Sequence, residues 1–113
     1  MTMRRMVLEF GMGNDLHGGD YTKAALRAVQ DALHHSSLSF IRALGLDARE
    51  MQVAVSIGVQ QPGRVDTDSV KQSLPYGEVT VAVVNGGLDV PDEDGRDGAV
   101  IATAAVVVSF DLP

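Results

Sequence analysis

AVIATAAVVVSFDL, residues 99–112, is a run that a long β-strand accommodates better than a helix. Valine, isoleucine and threonine crowd it, and no polar residue recurs at helical spacing. Read with a period of two, Val100, Ala102, Ala104, Val106, Val108 and Phe110 share one face, and Ile101, Thr103, Ala105, Val107 and Ser109 share the other. Neither face suits water. The apolar stretch from Gly98 to Phe110 has thirteen residues, short of the roughly 18 that span a bilayer as a helix. The strand therefore needs cover on both sides from protein.

The flanking elements follow from periodicity. Arg4–Met12 alternates as a strand, with Met6, Leu8 and Phe10 on one side. From Tyr21 the period changes: Ala24, Ala25, Ala28, Val29, Ala32 and Leu33 make an apolar helical stripe. Asp20 is the expected N-cap, and an Arg27–Asp31 pair at i,i+4 is expected to support the helix. Met51–Val59 is a second strand, QQPGR a turn, and residues 65–75 a short helix capped by Asp66 or Thr67 and stopped before Pro75. A turn at residues 75–77 leads into a third strand, EVTVAVVNGG, and residues 88–98 read as a solvated acidic loop. The order β-α-β-α-β-β predicts a single α+β domain over residues 1–113, a four-stranded mixed sheet with two helices on one face. Two helices leave the other face bare, so that face is expected to serve oligomerisation.

Composition narrows the partners. A net charge of −6 over 113 residues opposes nucleic acid and anionic membrane surfaces, which need a cationic footprint. The absence of cysteine excludes disulfides, thiolate metal sites and a thiol nucleophile. Glu9 interrupts the apolar run of MTMRRMVLEF and no small-residue cleavage site follows, so no secretory signal is read and a cytoplasmic location is expected.

The candidate site centres on GMGNDLHGGDYTKAALRAV, residues 11–29. Strand, glycine-rich turn and helix is the layout that cradles phosphate. Here the dinucleotide fingerprint fails at Leu16, and no Gly-Lys-Ser/Thr ends the run. Asp15 and Asp20 would also repel a pyrophosphate. Lys23 sits in the first helical turn, where the dipole disfavours a cation. Such a lysine either extends into water or is held to bind an oxyanion or act as a base. Gly13, Asn14, Asp15, His17 and Asp20 are the ligand-binding candidates around it, and Glu9, Asp15, His17 and Asp20 together offer oxygen and nitrogen donors for a metal. An EF-hand reading of the acidic loop fails, because Val90 and Ile101 fall on ligand positions. In VNGGL, residues 84–88, Gly86 and Gly87 free backbone amides and Asn85 adds a donor and an acceptor, unless the pair is a plain turn.

Three stretches, EFGMGNDLHGGDYTKAALRAVQDAL, LPYGEVTVAVVNGGLDV and AVIATAAVVVSFDL, resemble an uncharacterised prokaryotic family of hypothetical proteins, Lin-oh-five-one-two by name. That resemblance implies no activity. Shorter motifs resemble one repeat unit of the ring-opening amidohydrolases, cyanuric acid hydrolase and barbiturase. Three such units surround a pseudo-threefold axis there, each giving a lysine and a serine to a central site. The likeness implies that Lys23 and Asn85 stand at the catalytic positions, with asparagine where the nucleophilic serine belongs, and that three copies, or a multiple of three, surround a small-molecule ligand. The expected function is a cytoplasmic homo-oligomer with an anionic, amide or ring ligand held between subunits by the glycine-rich loop, Lys23 and the Asn85–Gly87 turn. The alternative is an oligomer that binds a metabolite or metal ion without turnover.

Overall fold

The long C-terminal strand, β5 (Gly98–Leu112), is the spine of the sheet in the computed structural model, which describes residues 2–35, 39–74 and 77–112. On one side it pairs antiparallel with β1 (Thr2–Asp15), from Thr2 opposite Leu112 to Asp15 opposite Val100, with a register shift between Arg5 and Val7. On its other side it pairs antiparallel with β2 (Gln52–Val59), and β2 pairs in parallel with β3 (Glu78–Asn85). The order is β1-β5-β2-β3, and a short β4 (Leu88–Pro91) pairs with the start of β5. This mixed α+β sheet has one strand more than periodicity alone revealed. β4 lies inside the stretch read as acidic loop, where four residues are too few to show a period. The turn expected at residues 75–77 lies partly outside the described residues.

Three helices pack on one face: α1 (Tyr21–His34), α2 (Ser39–Ala43) and α3 (Thr67–Gln72). The expected caps are present, with Asp20 accepting from the Lys23 amide and Asp66 from those of Asp68 and Ser69. Ala24, Ala28 and Ala32 of α1 are fully buried against Ala102 and Ala104 of β5, while Phe40 of α2 meets Phe110 edge-on at 6.0 Å. Small side chains bring α1 close to the sheet, and glycine brings it closer. β1 continues to Asp15, past its expected end at Met12, so Gly13 joins Gly11 in the strand. A Cβ at Gly11 would lie 2.3 Å from the Ala28 carbonyl oxygen, and one at Gly13 2.3 Å from the Ala28 nitrogen. These two glycines are the seat of the helix.

The same helix closes the outer edge of β1. Arg27 donates to the Asn14 carbonyl at 2.7 Å, Asp31 accepts from the Met12 amide at 2.9 Å, and His35 Nδ1 lies 3.1 Å from the Phe10 carbonyl. The expected Arg27–Asp31 pair gives way to these bonds, because unpaired edge groups are better partners than an exposed side chain.

The second face is bare. Phe10 (62% exposed), Met12 (58%), Leu88 (61%) and Val84 (55%) project from it, and among the described residues no element covers them. Between β3 and β4 the chain passes over that face at Gly86–Gly87, above Gly58. A Cβ at Gly87 would lie 2.1 Å from the Ile101 carbonyl oxygen, and the Gly87 φ of +59° is one that side chains rarely adopt. Among the described residues no helix is long and apolar enough to cross a membrane.

Candidate functional site

The glycine-rich loop closes on itself at the N-terminus of α1. Asp15 is 4% exposed; its Oδ2 accepts from the Asp20 amide at 3.0 Å and its Oδ1 lies 3.5 Å from Lys23 Nζ. The Asp20 amide, followed by the Lys23 charge, holds the Asp15 carboxyl below its ordinary range against the opposing effect of burial. Lys23 is half exposed. Its conflict with the helix dipole is answered by a full negative charge beside it.

The acidic loop, expected to be free in solvent, is latched to the glycine loop instead. Asp97 accepts from the Gly18 amide at 3.0 Å and from its neighbour Gly98 at 2.8 Å, and the exposed His17 places Nδ1 3.5 Å from its other oxygen. These amides hold the Asp97 carboxyl low. Residues 79 positions apart in sequence are thus tied together.

Tyr21, the first residue of α1, is buried and donates its hydroxyl to Asp89 of β4. Burial first, then the Asp89 carboxylate, push the phenol above its ordinary range. The Arg64 guanidinium lies over the Tyr21 ring, 5.1 Å from its centroid. The Arg64 backbone is pinned as well: the Thr22 hydroxyl faces its carbonyl at 3.4 Å and accepts from the Asp66 amide at 2.9 Å. Gly18, Arg64, Asp89, Arg96 and Asp97 line an open cavity of about 490 Å³ at this end of the sheet.

A second cavity, of about 270 Å³, lies on the bare face between Phe10, Ser56, Val84, Asn85, Gly86 and Thr103. Its turn is held by Gln60, whose Nε2 donates to the Gly86 carbonyl at 2.9 Å and whose own carbonyl accepts from Asn85 Nδ2 at 3.2 Å.

The expected site residues therefore fall in two places. Asp15, His17, Asp20 and Lys23 gather around the glycine loop; Asn85, Gly86 and Gly87 lie near the second cavity. Lys23 follows β1 and Asn85 ends β3, at opposite edges of the sheet. Gly13 lies under α1, and the Asn14 carbonyl is taken by Arg27. The donor set Glu9, Asp15, His17 and Asp20 is not assembled: among the described residues no three histidine or carboxylate groups converge on a metal position. Glu9 pairs with Val106 and Asp15 with Val100, about 20 Å apart along the strand. Sequence reasoning missed Tyr21, Arg64, Asp89 and Asp97. Only the turn residues around Arg64 carried any local signal, and that signal was of a turn.

A family model described as "Conserved hypothetical protein (Lin0512_fam)" matches residues 5–108. The fold is similar to the crystal structure of an FtsZ-like protein of unknown function from Nostoc punctiforme, with a TM-score of 0.87 and 36% sequence identity over 99% of each chain. No curated protein matches the chain.

Proposed function

We propose that this chain, which belongs to the conserved hypothetical family matched over residues 5–108, works as a homo-oligomer that holds a small molecule between its subunits. The bare apolar face of the sheet carries this reading. Four strands about 4.8 Å apart, each giving about eight residues of 3.3 Å, make roughly 500 Å² of flat surface. That is the upper end of what monomers leave uncovered, about 300–600 Å², and approaches the ~800 Å² per partner of a stable interface. A second copy brings an equally apolar surface.

The cavity beside Asn85 lies on that face, so a neighbouring copy roofs it. Its lining of Phe10, Ser56, Thr103, Asn85 and Gly86 is uncharged, which suits a neutral amide or ring better than an anion. Because Lys23 and Asn85 stand at opposite sheet edges, a site that uses both takes one from each of two copies. That differs from the ring-opening amidohydrolases, where each unit gives both residues to the central site. An asparagine amide is a poor nucleophile, which favours binding without turnover over hydrolysis.

Light scattering at high dilution tests the assembly. A mass that is a multiple of 12.0 kDa, with three copies favoured, supports it, and a folded 12.0 kDa particle overturns it. Phe10→Glu should give that monomer with an unchanged circular dichroism spectrum, because Phe10 is exposed. Incubation with cyanuric or barbituric acid separates the chemistry. Saturable binding without product supports the non-catalytic form, and ring opening supports the enzyme.

A further inference from the structure

We propose that the cavity at the start of β5 is a receptor for a small oxyanion, a carboxylate or a phosphate, with the Arg64 guanidinium as its recognising group. Arg64 is held before any ligand arrives. Its guanidinium carbon lies over the ring of Tyr21, 5.1 Å from the centroid, that ring is buried and fixed by the bond from its hydroxyl to Asp89, and Thr22 ties down the Arg64 carbonyl and the Asp66 amide that follows. A guanidinium held over a ring face by cation–π attraction still has its N–H fork for two oxygens of one anion. Among the described residues Arg64 makes no ion pair. An arginine held in place without a direct ion pair, facing a cavity of about 490 Å³, is preorganised for an incoming oxyanion.

The carboxylates in the same cavity are already engaged. Asp97 is occupied by the Gly18 and Gly98 amides and by His17, and Asp89 accepts from Tyr21. Arg96 adds a second cation at the rim, and its 4.0 Å contact with Asp94 is loose enough to exchange. The cavity is bordered by Gly18 and Gly19 on one side and by Gly95 and Gly98 on the other, so no side chain from those positions blocks the approach of a ligand. This site is separate from the cavity beside Asn85 and stands whether or not copies assemble.

The test is a titration of the isotope-labelled full chain by two-dimensional NMR, with inorganic phosphate in one arm and malonate in the other, at constant ionic strength set with chloride. Saturable shifts at Gly18, Gly19, Arg64, Arg96 and Gly98 in either arm support the site. Response to phosphate alone assigns it to phosphoryl ligands, and response to malonate alone to carboxylates. Arg64→Gln should weaken binding about tenfold or more, the loss of one charge-assisted contact, while leaving the remaining spectrum in place, since Arg64 is exposed. Arg64→Lys, which keeps charge but loses the fork, should fall between. No saturable shift in either arm, or equal affinity in Arg64→Gln, overturns the proposal.

Discussion

At Gly13 a methyl group has nowhere to go, since its carbon would stand 2.3 Å from the Ala28 nitrogen and 2.5 Å from the Ala24 carbonyl oxygen. Both obstacles are helix backbone, so α1 must lift. Gly13→Ala should cost about 2–3 kcal/mol in urea unfolding. Gly63→Ala, where nothing lies within 4 Å, should be near neutral. Equal effects at the two positions would show that the helix does not rest on β1 as described. Asp15 sets an acid limit. Its pKa is lower in the folded chain than in the unfolded one, so its stabilising contribution is complete above the unfolded value and is lost as pH falls through the folded one. Asp97 adds in the same direction. The urea midpoint should therefore decline from about pH 5 downward. Asp15→Asn, which keeps an acceptor for the Asp20 amide but removes the charge, should lower the midpoint at pH 7 and flatten the decline. An unaltered pH profile would mean that Asp15 titrates normally.

Among the elements, α1 is both a lid on the core and a guard on a sheet edge. An edge strand exposes unpaired amides and carbonyls that invite another chain to pair with it. Three side chains one helical turn apart, Arg27, Asp31 and His35, meet that need at Asn14, Met12 and Phe10. Their spacing of four residues advances about 6 Å along the helix, close to the nearly 7 Å between alternate strand residues, so helix and strand keep register over these three contacts. Replacing Arg27 and Asp31 together by alanine removes two hydrogen bonds, worth about 0.5–1.5 kcal/mol each. It should also make amide exchange at Met12 faster than at Gly13, whose position is covered by α1. Unchanged exchange at Met12 would argue that the edge is closed by other means.

Over the whole molecule, polarity is divided between faces and between ends. Among the described residues the three α-helices lie on one side of the sheet, so the apolar surface of Phe10, Met12, Val84 and Leu88 is left uncovered within the chain. The charged groups gather instead where β1 ends and β5 begins. The two cavities inherit this division: the one on the bare face is uncharged, and the one beside α1 is lined by two arginines and two aspartates.

The sequence by itself determined the strands of period two, the alanine stripe of α1, the caps at Asp20 and Asp66, and the surplus of apolar faces over helices. Each is a local pattern, set by side-chain spacing and by the backbone groups that a short polar side chain can reach. It also located the glycine loop and the Asn85–Gly87 turn. It did not disclose what their glycines are for. Gly13 and Gly87 are explained by the backbone that passes over them, and such an approach is set by packing between segments distant in sequence. The tertiary structure alone placed Arg64 on Tyr21, Asp89 under its hydroxyl and Asp97 beside Gly18. These residues come from four separate segments, and sequence spacing carries no record of contacts made across that distance.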